Sequence, residues 1–206
     1  MNNLYFEKIV INPEGVIDLN SYYVLHGIGT DEKALQPMIK HLNHPGVYYF
    51  IRGPFRYGIN GYACFEVKFS PEGNKINIDQ AQESLKLLKE FVDTKKNVST
   101  KNIFMGFSQG AIMSYAMAFQ FPDLVDEVIG LNGRVLKEFE AIKPNGNKKI
   151  KINAVYGLYD EIQPMHYANE AKERFKLDWI DLNYFESPCA HEINLESLNF
   201  VKKCLG

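Results

Sequence analysis

The chain has 206 residues, 46% hydrophobic and 23% charged, and its 23 Lys plus Arg against 25 Asp plus Glu leave a formal net charge of -2. That length suits one domain spanning residues 1–206 with a core that needs no staples, and the near-balance of charge gives no electrostatic case for nucleic acid or an anionic membrane. Three scattered cysteines (Cys64, Cys189 and Cys204), no basic-then-apolar leader and no apolar run long enough for a bilayer lead us to expect a soluble, cytoplasmic protein without stable membrane association.

Short apolar runs alternate with longer helical patterns, as in an α/β domain with a mostly parallel sheet flanked by helices. Strands are predicted at 5–11, 22–26, 47–51, 102–107, 127–131, 150–156 and 180–185. Runs such as Val47-Tyr48-Tyr49-Phe50-Ile51 are apolar nearly throughout, the pattern of strands covered on both faces. Helices are predicted at 31–43, 79–93, 109–121, 166–175 and 192–204. The second carries Ala81, Leu85, Leu88 and Val92 at three- and four-residue steps, and the third is apolar almost all round. Residues 53–61 and 136–149, rich in Gly, Pro and Asn, read as loops.

Gly106-Phe107-Ser108-Gln109-Gly110 is a G-x-S-x-G set where an apolar strand ends and an apolar helix begins, the setting of a nucleophile elbow. Such a turn strains the serine backbone and leaves no room for side chains on its flanks, hence the glycines. A serine hydroxyl needs an adjacent base. In chain order the acid follows a late strand and the histidine comes last. Only His166 and His191 follow Ser108, and His166 comes too early, so His191 is the predicted base. Asp160 lies just beyond strand 150–156 and is the predicted acid, with Glu161 its nearest rival and Asp178 and Asp181 flanking the next strand. A developing oxyanion needs two donors. The Gln109 amide at the helix start is one; the loop His26-Gly27-Ile28-Gly29 supplies the other, assigned to the Ile28 amide. No H-E-x-x-H or paired-cysteine pattern occurs, so no metal and no cofactor is expected.

With these residues assembled, the chain resembles the carboxylesterase/phospholipase family that includes acyl-protein thioesterases, within the α/β-hydrolases. His26-Gly27-Ile28-Gly29 with Asp31-Glu32 is similar to the family's oxyanion segment, and Gly157, Asp160 and Pro164 to its acid loop. His191-Glu192-Ile193 matches its histidine segment. Arg52-Gly53-Pro54 with Gly61-Tyr62 and Phe65 resembles the loop that borders its cleft. The resemblance implies a single α/β-hydrolase domain without a large lid. It also implies cofactor-free hydrolysis of small or acyl-chain esters or thioesters through an acyl-enzyme, and Arg52, Tyr62, Cys64 and Phe65 as substrate-binding residues. Cys64 stands where the family usually has Trp, Ala190 where it has Gly and Tyr156 where it often has His, all of which bear on substrate preference. For Arg52 and Arg56 a surface charge or local salt bridge competes with an anion-binding role. Two other functions stay open at this point: a non-catalytic binding protein on the same scaffold, and a small serine peptidase. Monomer and homodimer are equally compatible with the sequence.

Overall fold

The computed structural model describes residues 4–13, 15–68, 74–95 and 100–206; residues 1–3 and 14, part of the stretch read for a leader, lie outside them. The strands are β1 (Phe6–Ile11), β2 (Ser21–Leu25), β3 (Gly46–Ile51), β4 (Phe55–Tyr57), β5 (Gly61–Ala63), β6 (Val67–Lys68), β7 (Lys75–Ile76), β8 (Asn102–Phe107), β9 (Glu127–Leu131), β10 (Ile150–Gly157) and β11 (Ile180–Ser187). The helices are α1 (Gln36–Leu42), α2 (Ile78–Lys95), α3 (Gln109–Gln120), α4 (Met165–Arg174) and α5 (Leu195–Leu205). Seven strands form one sheet in the order β1-β3-β2-β8-β9-β10-β11. Only β1 runs antiparallel to its neighbour; every other pairing in that sheet is parallel.

The two-residue period of a strand divides the core. Tyr23 and Leu25 face one side with Phe104 and Ala154, under the apolar stripe of α2, under α3 and under Ala168 and Ala171 of α4. Tyr22 and Val24 face the other with Met105, Ile129 and Val155, against Met38 and Ile39 of α1 and Val201 of α5. Helix α3 is buried along nearly its whole length, as its all-round apolar sequence requires. Truncating a fully enclosed side chain such as Ile129 to alanine would cost about 2–5 kcal/mol.

The elements agree with expectation to within a few residues except at two helix starts, one loop and the short strands β5, β6 and β7, which were not expected. Helix 31–43 begins only at Gln36, because Pro37 fits the first turn, where its missing N–H is no loss. Helix 192–204 begins at Leu195: the Asn194 side chain accepts the Ser197 N–H at 2.9 Å and caps it, leaving His191-Glu192-Ile193 in a loop. The loop read at 53–61 contains β4, paired with β5 in a small antiparallel hairpin.

Candidate active site

Strand β8 ends centrally in the sheet, at the carboxyl edge where open α/β sheets gather their sites. Ser108 follows it with φ 53 and ψ -116, a backbone conformation few non-glycine residues adopt. Its N–H donates to the Leu131 carbonyl at 2.8 Å and so anchors the turn to β9. A Cβ on Gly106 would overlap the Gly110 carbonyl, and a Cβ on Gly110 would overlap that of Leu25. Both glycines are therefore demanded by close backbone approach, and the serine between them is held at the mouth of α3.

Around that hydroxyl the structure brings together residues distant in sequence. His191 Nε2 lies 2.8 Å from Ser108 Oγ, and His191 Nδ1 lies 2.6 Å from Asp160 Oδ2. The other carboxylate oxygen of Asp160 accepts the Ile162 N–H at 2.9 Å and the Gln163 N–H at 2.7 Å. Those two bonds fix the carboxylate so that Oδ2 faces the imidazole. The pairing assigns the proton to Nδ1, leaving Nε2 as acceptor for the serine hydroxyl. Asp160 and Ser108 are buried and His191 is part-exposed, so a substrate can reach the serine beside the ring. Glu161 is exposed, beside but not in this chain of contacts.

The loop after β2 is held on three sides. The Gly29 N–H donates to the Tyr62 carbonyl at 2.9 Å, and the Tyr62 N–H donates to that of Thr30 at 2.8 Å. His26 Nδ1 donates to the Gly27 carbonyl at 2.7 Å, and its Nε2 accepts the Gly53 N–H at 2.9 Å. Burial lowers the His26 pKa and keeps the ring neutral, as an accepting Nε2 requires. The Arg52 guanidinium donates to both oxygens of Glu32, at 2.5 and 2.7 Å, and holds that carboxyl below the usual carboxylate range. Between these ties Ile28 borders the space in front of Ser108. Gln109 opens α3, so its N–H has no acceptor within the helix.

Two cavities meet at Ser108. An apolar one of about 530 Å³ is bordered by Ala34, Leu35, Phe107, His191 and Ile193. The other is a narrow neck of about 30 Å³ bordered by Phe65, Gln109, Ile112, Arg134 and Gln163. Of the residues expected to bind substrate, Phe65 lines that neck. Arg52, Tyr62 and Cys64 line neither cavity. Arg52 is committed to Glu32 and lies over the rings of Tyr5 and Tyr62, at 4.0 and 4.4 Å; Arg56 also lies over the Tyr62 ring, at 5.1 Å. Cys64 is buried, its thiol pushed up to about 12, and its N–H donates to Gln109 Oε1 at 2.7 Å. Its effect on the cleft is thus indirect: Gln109 Nε2 also donates to the Phe65 carbonyl at 2.8 Å, and this two-point clamp sets the Phe65 wall.

Three site residues escaped the sequence reading: the Gln109 side chain, Asn132 and Arg134. Asn132 Nδ2 donates to the carbonyls of Ala190 and Glu192, both at 3.1 Å, gripping the residues on either side of His191. Its φ of 51 is the left-handed conformation that an Asn-Gly pair after a strand signals, and that was the available clue. Among the described residues no group of three or more His, Cys, Asp or Glu is placed to hold a metal ion, and no helix is long and apolar enough to cross a membrane.

The model of the phospholipase/carboxylesterase family matches residues 21–206. Acyl-protein thioesterase 1 of Kluyveromyces lactis is 26% identical, over 90% of this chain and 92% of its own length. Among solved structures, YahD with malic acid superposes with a TM-score of 0.80 at 22% identity, covering 98% of each chain. Acyl-protein thioesterase 2 of Zea mays does so with a TM-score of 0.75 at 18% identity, covering 98% of this chain and 100% of its own. At these identities the structural likeness establishes the fold.

Proposed function

Since the chain belongs to the phospholipase/carboxylesterase family of α/β-hydrolases, and is thereby a serine hydrolase of ester or thioester bonds, we propose that Ser108, His191 and Asp160 are its nucleophile, base and orienting acid. The observation that carries this is the unbroken path of hydrogen bonds from the Ser108 hydroxyl through His191 to Asp160. His191 Nε2 takes the hydroxyl proton as Oγ attacks the acyl carbon, and Asp160 stabilises the imidazolium so formed. The negative charge that develops on the substrate oxygen faces the Ile28 and Gln109 amides, the latter at the positive end of α3. As the tetrahedral intermediate collapses, His191 returns the proton to the departing oxygen or sulfur. Water then enters, gives a proton to His191 and bonds through its oxygen to the acyl carbon; as the bond to Ser108 Oγ breaks, His191 returns the proton to that oxygen and the acid leaves.

The substrates are small or acyl-chain esters and thioesters, and the setting is the cytoplasm, in keeping with three unpaired cysteines. A binding protein on a hydrolase scaffold has no use for a strained serine backed by a fixed histidine and carboxylate. The test is p-nitrophenyl butyrate turnover, with labelling by a fluorophosphonate probe. Both should be present in the native protein and absent in Ser108→Ala; turnover retained by Ser108→Ala removes the proposal.

A further inference from the structure

Arg134 follows β9 in the loop Asn132-Gly133-Arg134, one strand over from Ser108, and lines the neck that contains the serine. It is more than nine-tenths buried. Its Nε is enclosed without a hydrogen-bond partner, and among the described residues no carboxylate pairs with it. One face of the guanidinium lies over the Tyr167 ring at 4.2 Å. An enclosed cation with unused donors is costly unless an anion arrives to pair with it. Arg134 also borders a larger cavity of about 610 Å³ that shares Asn74 and Ile76 with the neck, with Lys75, Lys137 and Arg174 against Glu138 and Glu170 on its walls. Gln163 lines the neck with its Oε1 likewise enclosed and unpartnered, and a turn of that amide presents an N–H instead.

The position of His191 assigns the two cavities. The departing group must sit beside the ring that protonates it, so the apolar cavity bordered by His191 takes the leaving group. The acyl portion then runs from Ser108 through the neck toward Arg134 and the larger cavity that Arg134 also borders. Resting on the hydrolase reading above, we propose that this enzyme prefers acyl groups carrying a distal carboxylate, held by Arg134. The substrates would be half-esters or half-thioesters of short dicarboxylic acids.

The experiment compares the mono-4-nitrophenyl esters of succinic, glutaric and adipic acid with the same compounds capped as methyl esters at the far carboxyl. Native enzyme should favour the best free half-ester over its capped partner by roughly tenfold or more in kcat/KM. In Arg134→Gln that ratio should fall to about one or below, and Arg134→Lys should restore part of it. The free diacid of the best substrate should raise the Tm of the native protein and leave that of Arg134→Gln unmoved. Equal rates for both ester series in the native enzyme, or a preference unchanged in Arg134→Gln, would overturn the proposal, as would an Arg134-dependent preference for a carboxylate on the leaving group. Hydrolysis of the capped esters that disappears in Ser108→Ala keeps the hydrolase reading intact whichever way the carboxylate comparison falls.

Discussion

The Asn132 amide nitrogen lies 3.1 Å from the carbonyl oxygen of Ala190, the residue before His191. The same nitrogen makes an equal bond to the residue after it, so a side chain at the end of β9 sets where the imidazole sits over Ser108. Asn132→Gly keeps the left-handed backbone and deletes both bonds. It should lower kcat by about 10- to 100-fold, the cost of displacing a reacting group, with KM little changed. Asn132→Ala should do the same and lose about 1 kcal/mol more stability, because a Cβ is strained at φ 51. Steady-state kinetics and urea denaturation of the two variants separate the effects.

Asp160 holds Nδ1 protonated and two backbone N–H groups hold Asp160. Asp160→Asn would present an N–H where the ring needs an acceptor and favour the wrong tautomer, lowering kcat by about 10⁴-fold. Glu161→Gln, at an exposed position one residue on, should stay within about twofold of native. Ester turnover of the two purified variants reads this directly.

Glu32 has no exposed side-chain surface, whereas its partner Arg52 is 24% exposed. Removing the arginine strands a buried carboxylate, so Arg52→Met should destabilise the fold by up to about 3 kcal/mol, and Arg52→Met with Glu32→Gln should recover part of the loss. The pair's contribution is present above the ordinary carboxylate range and disappears as pH falls through the depressed value of Glu32. Chemical denaturation of both variants at neutral and acid pH measures it.

His26 is held neutral, its pKa lowered by burial. Between the ordinary histidine value of about 6.5 and that lowered value, the unfolded chain binds a proton the folded chain does not. Stability should therefore fall as pH drops below about 6.5, and part of that slope should vanish in His26→Gln. Tm measured from pH 8 to pH 5 in both proteins checks it; identical slopes would show that His26 does not contribute.

The elbow and the order of Ser108, Asp160 and His191 could be read from the chain because their causes are local. Gly106 and Gly110 are excluded from bearing side chains by backbone packed within a turn of one another and of β2, and a strand followed at once by a helix announces that turn. Which side chains of a strand share a face likewise follows from a two-residue period, whatever the strand's neighbours. The signals for the starts of α1 and α5, Pro37 in the first turn and Asn194 at the cap, were equally local. Tertiary structure alone decided what touches what. Arg52, placed by sequence at the cleft, is absorbed by Glu32; Arg134, which no motif marks, lines the same neck as the serine with no carboxylate against it among the described residues. Whether a charge is satisfied depends on which strands lie side by side, and that is a property of the assembled sheet, not of any segment within it.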